Sequence, residues 1–339
     1  MKRCADFDHL LVLPHLQVQN ANAVSSPLTH GFPSITAFLG AMWALQRHCD
    51  VAGLVDLRFV AVGVVCHQHQ EQVTDSGFVG TFCLTRNPVD RHGKTAAIVE
   101  EGRIHLDLSL VLAVQCRRWA ADPAVRDAEV SRIGELVARM RLAGGSVLPH
   151  PRAHLSRYQP YAIALTGTDD DRRAQFDRAK LRLLPGFTLV SRDDLLQQRL
   201  AELQAEDAAV TALDAWLSLA RINWRHVPPT ESEEAPQAGK KRQSTWQNDR
   251  TGQGWIVPIP VGYGALGKLL PAGSVVNSRD TATPFRFVES LYSIGEWLSP
   301  HRLHSPTQLL WHADTSAEDG FYRCRNDYAQ APQYAYDFD

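Results

Sequence analysis

The most constraining feature of this 339-residue sequence is an unbroken apolar alternation between positions 104 and 114. Every second residue in it is aliphatic: Ile104, Leu106, Leu108, Leu110, Leu112 and Val114. A period of two is that of a β-strand, because successive side chains point to opposite faces of the sheet. The segment therefore predicts a long strand with at least one buried face.

The surrounding patterns predict the order β-α-β-β-α-β over the first 150 residues. The other strands are expected at Leu10–Val18, Phe59–Cys66 and Val147–Leu148, and the helices at residues 35–43 and 130–140. Pro33-Ser34 precedes the first helix, and Pro14 predicts a bulge or an edge in the first strand. This order is that of the ferredoxin-like or RRM fold, in the α+β class.

The length predicts about two domains. We assign residues 1–150 to the RRM-like domain, with a polar, turn-rich insertion at about 67–95. Residues 151–339 form a C-terminal irregular α+β region, in which 172–200 are expected to be part helix and part strand. Scattered Pro and Gly predict a flexible segment at about 228–254.

Composition excludes several classes of protein. Hydrophobic residues make up 44% and charged residues 21%, which excludes a disordered chain or a coiled coil. The net charge of -2 excludes a nucleic-acid footprint over the whole chain but leaves room for a local basic face. We expect a cytoplasmic protein with no membrane contact, since a signal peptide and a membrane-length apolar run are lacking. The six cysteines form no C-x-x-C pair and are expected to be reduced.

Signals of catalysis are weak. His67-x-His69 and the pair His301 and His304 suggest metal or acid–base chemistry, but a third metal ligand is not evident nearby in the sequence. The sequence contains neither G-x-S-x-G nor a P-loop. We therefore expect no catalytic residues, no metal and no cofactor.

Binding signals are stronger. Gln19, Asn20 and Asn22 carry amides that could read base edges, and turn formation is the equal alternative for them. Arg86, Asn87 and Arg91 lie in the insertion, where they suit a phosphate backbone or a solvated loop.

A glycine-rich segment follows the second predicted helix and contains Arg141, Gly144, Gly145 and Ser146. Its glycines favour an anion-binding nest of amides, a glycine cap at the end of the helix, or both together.

Seven stretches carry a resemblance to a known family: 19–40 (QNANAVSSPLTHGFPSITAFLG), 63–67 (GVVCH), 84–110 (LTRNPVDRHGKTAAIVEEGRIHLDLSL), 140–149 (MRLAGGSVLP), 183–192 (LLPGFTLVSR), 255–263 (WIVPIPVGY) and 295–302 (GEWLSPHR). In these stretches the chain resembles the Cas-five-like subunit, numbered two, of the type I-F CRISPR (Csy) surveillance complex. The resemblance covers nearly the whole chain and is weakest at 117–127, 150–172 and 228–254.

The resemblance implies a RAMP-type fold with a thumb-like β-hairpin insertion and a glycine-rich loop. It implies a non-catalytic, antiviral role in which this subunit and the large (Cas8-like) subunit clamp the 5′ handle of the guide RNA (crRNA). It also implies contact with the adjacent backbone (Cas7-like) subunit, with target DNA reached at most indirectly.

In that setting the candidate residues take specific roles. Gln19, Asn20 and Asn22 are expected to contact bases or sugars of the handle. The insertion residues Arg86, Asn87 and Arg91 are expected to grip RNA leaving toward the backbone subunit. Arg141 and the amides of Gly144, Gly145 and Ser146 are expected to hold phosphates.

A rival reading is a metal-independent endoribonuclease that cleaves repeat RNA. His67, His69 and Tyr263 would then be the acid–base residues.

Overall fold

The computed structural model describes residues 3–75, 77, 79–83, 92–94, 102–227, 245–248, 250, 252–278 and 280–330. Its helices are α1 (Ile35–Val51), α2 (Arg117–Ala121), α3 (Pro123–Val137), α4 (Asp169–Leu181), α5 (Asp193–Glu206), α6 (Ala212–Ala220) and α7 (Pro306–Leu309). Short 3-10 turns lie at Ser156–Tyr158, Pro300–Arg302 and Tyr328–Gln330. None of the described helices has the length and apolar character needed to span a membrane.

The strands of the first half are β1 (His9–Asn22), β2 (Val24–Ser26), β3 (Thr29–His30), β4 (Arg58–Glu71), β5 (Val73–Asp75), β6 (Gly80–Phe82), β7 (Arg103–Gln115), β8 (Arg141–Leu142) and β9 (Gly145–Leu148). Those of the second half are β10 (Tyr161–Ala164), β11 (Phe187–Ser191), β12 (Trp224–Val227), β13 (Thr245–Asn248), β14 (Trp255–Ala265), β15 (Val288–Leu298), β16 (Trp311–Ser316) and β17 (Phe321–Asn326). The fold is therefore mixed α+β, as expected.

One antiparallel sheet of eleven strands organises the described residues. Its order is β11-β15-β14-β17-β16-β4-β7-β1-β9-β8, and β10 also pairs with β1. Both β11 and β16 pair with β4, so strands from the two sequence halves share this sheet. The pairs β2–β3, β5–β6 and β12–β13 form separate two-stranded ribbons.

The two strongest strand predictions are confirmed in the centre of this sheet. The alternating segment forms β7, and the first strand forms β1, which extends to Asn22. The bulge predicted from Pro14 is also confirmed, because the register of β1 against β7 shifts between Leu13 and Leu16. His15 adopts a φ of 50° at this bulge.

One face of the central strands is covered by α1 and α3. Ser34 caps α1 by accepting a hydrogen bond from the Thr36 amide, as the Pro33-Ser34 pattern indicates. Asp122 caps α3 in the same way, which starts this helix well before residue 130. The helix ends at Val137 rather than at Met140, since the chain then turns into β8.

The covered face buries Leu39 of α1 and Ile133 of α3 against the sheet.

The opposite face is covered over only part of its length. Phe176 of α4 and Leu309 of α7 pack there against Val12, Val65 and Val111 of β1, β4 and β7. The second half of the chain thus supplies the other cover of a sheet that the first half begins.

The bounds of two predicted segments differ in the structure. Strand β4 continues to Glu71, so residues 68–71 pair with β7 and His67 lies in a bulge of the same strand, instead of belonging to the insertion. Among the described residues of the connection, β5 and β6 form a hairpin. Of the predicted flexible segment, residues 245–248 form β13, which pairs with β12, while 228–244 lie outside the described residues.

A glycine in β4 tests how closely the second half packs on the first. A Cβ at residue 63 would lie 2.6 Å from Leu309 Cγ and 3.1 Å from the Leu309 carbonyl oxygen. We expect Gly63→Ala to lower the free energy of unfolding by about 1–3 kcal/mol, because α7 must move away from β4. Urea unfolding measures the change as a lower midpoint with an unchanged slope.

Gly40 is the matched control, because it is exposed on α1 and a Cβ there meets nothing within 4 Å. Gly40→Ala should raise the free energy of unfolding by about 0.5–1 kcal/mol, since alanine is favoured in a helix. Equal effects of the two substitutions would contradict the close packing of β4 on α7.

Candidate nucleic-acid interface

Beyond the part that α4 and α7 cover, the central sheet presents an open polar face. On β7 the residues that point to this face change from Val111 to Ser109, Asp107 and His105 toward the start of the strand. The neighbouring strands match this change, since Gln17 of β1 pairs with Asp107. The alternate residues of β7, such as Leu106, remain buried on the other face.

Cross-strand pairs arrange this face in two rows. In one row Gln68, Asp107, Gln17 and Leu148 lie side by side on β4, β7, β1 and β9. In the next row Gln70 pairs with His105, and Gln19 pairs with Ser146, which pairs in turn with Arg141. Directly opposite residues in an antiparallel pair share a face, so these side chains lie together.

The two rows enclose an open groove with a volume of about 240 Å³. It is lined by Gln17, Val18, Gln19, Gln68, His69, Gln70, His105, Leu106, Asp107 and Leu148. Four of these residues are glutamines, whose side-chain amides offer both donors and acceptors, and His105 adds an imidazole on the same face. Rigid strands hold these groups at fixed spacings, which suits them to unpaired bases and sugar hydroxyls.

The predicted residues Gln19 and Asn20 lie at one edge of the groove. Gln19 lines it, and Asn20 sits in a second bulge of β1 with a φ of 58°. The backbone N–H of Asn20 donates to His105 Nδ1 at 3.2 Å. Gln72 Nε2 donates to the side-chain Oδ1 of Asn20 at 2.7 Å. Asn20, which is exposed, therefore helps to fix the half-buried His105 ring.

Asn22 occupies a turn and not the groove. Its Nδ2 donates to the Val24 carbonyl at 2.8 Å, and its Oδ1 accepts from the Val24 amide at 3.2 Å. This is the turn chemistry that the sequence left open as the alternative. A contact between Asn22 and RNA stays a prediction.

The glycine-rich segment forms a hairpin of β8 and β9. Ala143 and Gly144 make its turn, with φ values of 48° and 80°. The expected helix cap is wrong, because α3 ends at Val137 and its cap residue is Ala138. Gly145 is required for a different reason: a Cβ there would lie 2.7 Å from both the Ala21 nitrogen and the Gln19 oxygen.

This hairpin presents side chains to the open face. Ser146 pairs with Gln19 on one side and Arg141 on the other, which commits its backbone to the sheet. Arg141 and Ser146 are both exposed, and Arg141 forms no ion pair within the described part of the chain. The role of these residues and of the amides in holding phosphates stays a prediction.

The predicted insertion residues Arg86, Asn87 and Arg91 lie outside the residues that the structure describes. Their proposed grip on RNA remains untested.

A cluster of side chains that the sequence does not reveal lies at the inner end of the groove. His15 Nδ1 lies 3.0 Å from Asp107 Oδ1, and the rings of His15 and His67 stack with centroids 4.0 Å apart. His67 Nδ1 donates to the Pro185 carbonyl at 2.6 Å, and its Nε2 lies 2.7 Å from Ser109 Oγ. The sequence paired His67 with His69, whereas the fold brings it to residues of two other strands.

The surroundings of this cluster shift two pKa values. Burial lowers the pKa of His67, and the hydrogen bond to Pro185 opposes this only in part. Burial raises the pKa of Asp107, but the hydrogen bond from His15 and the nearby imidazoles outweigh it, so the net pKa is lowered. A neutral His67 and an ionised Asp107 are therefore favoured at neutral pH.

Comparison with known proteins gives the family. The model of the CRISPR-associated protein (Cas_Csy2) family matches residues 11–324. A curated relative, CRISPR-associated protein Csy2 of Pseudomonas aeruginosa (strain UCBPP-PA14), is 46% identical over 321 residues, which cover 94% of this chain and 95% of the relative.

The chain belongs to the Csy2 family.

This result confirms the family resemblance found in the sequence. Membership in the Csy2 family makes the chain a CRISPR-associated subunit of the Csy complex, which acts in antiviral defence together with other Cas subunits. The groove and the β8–β9 hairpin both lie within the matched residues.

The close approach of Gly145 to β1 can be tested by substitution. We expect Gly145→Ala to lower the free energy of unfolding by about 1–3 kcal/mol, because β9 must move off the Gln19 backbone. Thermal unfolding should show a midpoint lower by several degrees. Gly80→Ala is the control, since it is also a strand glycine but a Cβ there meets nothing within 4 Å. A Gly145→Ala midpoint equal to that of Gly80→Ala would contradict the packing.

Proposed function

We propose that this chain is a non-catalytic RNA-binding subunit of the type I-F Csy complex. Together with the large subunit it clamps the 5′ handle of the crRNA, and it contacts the adjacent backbone subunit along the guide. The observation that carries this proposal is the open groove beside Gln19, which is lined by glutamines of β1 and β4 and by His105 of β7.

The fold proposal is that the first half is a ferredoxin-like domain of the RAMP type. Its support is the strand order β4-β7-β1-β9, which in order of appearance is second, third, first and fourth of the predicted strands. The four strands are antiparallel, and α1 and α3 cover one face. The groove lies on the other face, so an RNA strand would bind to the sheet and not to the helices.

The chemistry of the groove suits single-stranded RNA better than a duplex. Unstacked bases can hydrogen-bond with the glutamine amides and stack on imidazoles such as His105, and the ribose 2′-hydroxyl can use the same amides. Among the proposed site residues that the structure describes, Arg141 supplies a positive charge at the edge of this face. Arg86, Asn87 and Arg91 belong to the same proposal as the grip on RNA that leaves toward the backbone subunit.

The net charge of the chain also favours binding of the RNA handle by two subunits together. Because the net charge is -2, phosphate contacts of this chain alone would hold RNA weakly at physiological salt. A second subunit that contacts the same handle supplies the missing attraction and buries the RNA between two proteins.

The decisive experiment is co-expression of the full chain with the large subunit and a guide RNA, followed by size exclusion and extraction of the bound RNA. We expect one copy of each protein to co-elute with RNA that retains an intact 5′ handle. Elution of the chain free of both the RNA and the large subunit would overturn the proposal.

Arg141 gives a quantitative test of phosphate contact. We expect Arg141→Ala to weaken RNA binding and to reduce the slope of log K against log salt by about one unit, since one phosphate contact is lost. Binding of the two-protein assembly to a labelled handle RNA at several salt concentrations measures this slope.

Arg139→Ala is the matched control, because Arg139 is exposed and follows α3 but lies outside the β8–β9 hairpin. It should leave the slope unchanged. A slope that is also unchanged in Arg141→Ala would remove Arg141 from the site.

The endoribonuclease alternative is favoured by one observation. His15 and Asp107 form a hydrogen-bonded imidazole–carboxylate pair beside the groove, which is an arrangement suited to proton transfer. The residues suspected from the sequence do not converge in the same way. His69 lines the groove, and His67 is hydrogen-bonded to Ser109. Tyr263 lies on β14, which is separated from β4 by two strands.

Incubation of the assembly with repeat RNA in EDTA separates the two functions. We expect no new RNA bands, since the proposed role is binding. Cleavage products that disappear in Asp107→Asn would support the enzyme and overturn the non-catalytic proposal.

A further inference from the structure

We propose that His15, His67 and Asp107 form a binding site for a divalent transition-metal ion of the zinc class. Three different strands supply these residues, and one ligand atom from each lies within 4.8 Å of the other two. The inference goes beyond the proposed function and does not depend on RNA binding.

The strongest observation is the contact between His15 and Asp107. The His15 ring is about one-tenth exposed, and its Nδ1 lies 3.0 Å from Asp107 Oδ1. Two such atoms can bind one metal ion, which takes the place of the hydrogen-bonded proton between them. The Nε2 of His15 is buried and has no hydrogen-bond partner among the described residues, so Nδ1 is the nitrogen of this ring that faces a second ligand atom.

The His67 ring is oriented by a backbone acceptor. Its Nδ1–H donates to the Pro185 carbonyl, which leaves Nε2 as the lone-pair nitrogen. That nitrogen faces the Ser109 hydroxyl at 2.7 Å. A hydroxyl rotates freely about its C–O bond, so Ser109 can turn its hydrogen away when a metal takes the lone pair.

The backbone explains why the two rings meet. His15 adopts a φ of 50° in the bulge of β1, which shifts the register against β7 at this point. The His15 amide donates to Ser109 Oγ at 3.1 Å, and the His15 ring stacks on His67. The bulge thus turns a histidine of β1 toward a histidine of β4 across the intervening strand β7.

The ligand set selects the class of metal. Two imidazole nitrogens and one carboxylate oxygen suit Zn²⁺ and its neighbours, whereas Mg²⁺ and Ca²⁺ prefer oxygen ligands. Three protein ligands leave a fourth position for water. Tyr158 and His150 stack on each other with ring centroids 4.0 Å apart, and the Tyr158 ring lies 5.0 Å from that of His15, so aromatic rings shield one side.

The test is a metal titration of the full chain, purified without a polyhistidine tag and stripped with EDTA. We expect Co²⁺ to give a visible d–d absorption band that saturates at about one equivalent per chain, and Zn²⁺ to abolish the band by displacement. Mg²⁺ in excess should leave the band unchanged. Absence of a saturable band in the wild-type chain would overturn the proposal, whatever the variants do.

Substitutions then assign the ligands. His15→Asn and Asp107→Asn should each weaken Co²⁺ affinity by at least about tenfold. The matched controls are His69→Asn and His105→Asn, which change histidines of the same groove outside the cluster and should bind as the wild type does. Circular dichroism of each variant checks that the fold is retained.

Two further outcomes would overturn the site. One is an unchanged band in both His15→Asn and Asp107→Asn. The other is strong near-ultraviolet charge-transfer absorption from thiolate to Co²⁺, which would assign the metal to cysteines such as the exposed Cys83.

Discussion

The pairing of β4, β7 and β1 is the interaction on which the rest of this structure depends. The middle sections of these strands are buried on both faces, so their backbone groups can be satisfied only by one another. This explains why Val111 and Leu112, which point to opposite faces of β7, are both apolar and both buried. A shift of one residue in this register would move every side chain to the wrong face.

The groove exists because the elements of the second half that cover one face of the sheet, α4 and α7, do not extend along the whole length of the strands. Helices α1 and α3 cover their face over most of its length, whereas the cover from the second half ends near Ser109. Ser109 is 1% exposed, and the next residue on its face, Asp107, is only partly buried. Within a few residues the same strand passes from a dry core to a polar surface, and its hydrogen-bonding groups keep the rigid spacing of the sheet. A binding surface on strands is better ordered than one on loops.

The central strands and α1 could be predicted from sequence because their periodicity is local. The alternation in 104–114 and the apolar stripe that begins at Ile35 each report a buried face without knowledge of its partner. The extension of β4 to Glu71 could not be read in this way, since Gln68, His69 and Gln70 look like loop residues until β7 pairs with them. A signal was nonetheless present, because Gln68 and Gln70 are spaced by two, as are His105 and Asp107.

The candidate site could be predicted only in part, because most of it is formed by pairing between strands that are distant in sequence. The position of Gln19 at the end of a predicted strand indicates an amide at the edge of the sheet, and Gln19 lines the groove. The cluster of His15, His67 and Asp107 depends on contacts between three strands and on a bulge, neither of which leaves a spacing in the sequence. The sequence singles out Gly144 and Gly145 but does not show why each must be glycine. Gly144 forms a hairpin turn, and Gly145 lies too close to the β1 backbone for any side chain.

The arrangement of strands around β4 has a consequence for biosynthesis. The strands on one side of β4, namely β7, β1, β9, β8 and β10, are complete by Ala164, but its partners on the other side end at Ser191 and Ser316. At ribosomal rates of about 5–20 residues per second, the nascent chain carries an unpaired β4 edge for on the order of ten seconds. Such an edge is a template for pairing with another chain. During translation, therefore, a strand from the centre of the finished sheet is first an open edge, and segments that emerge later are the ones that close it.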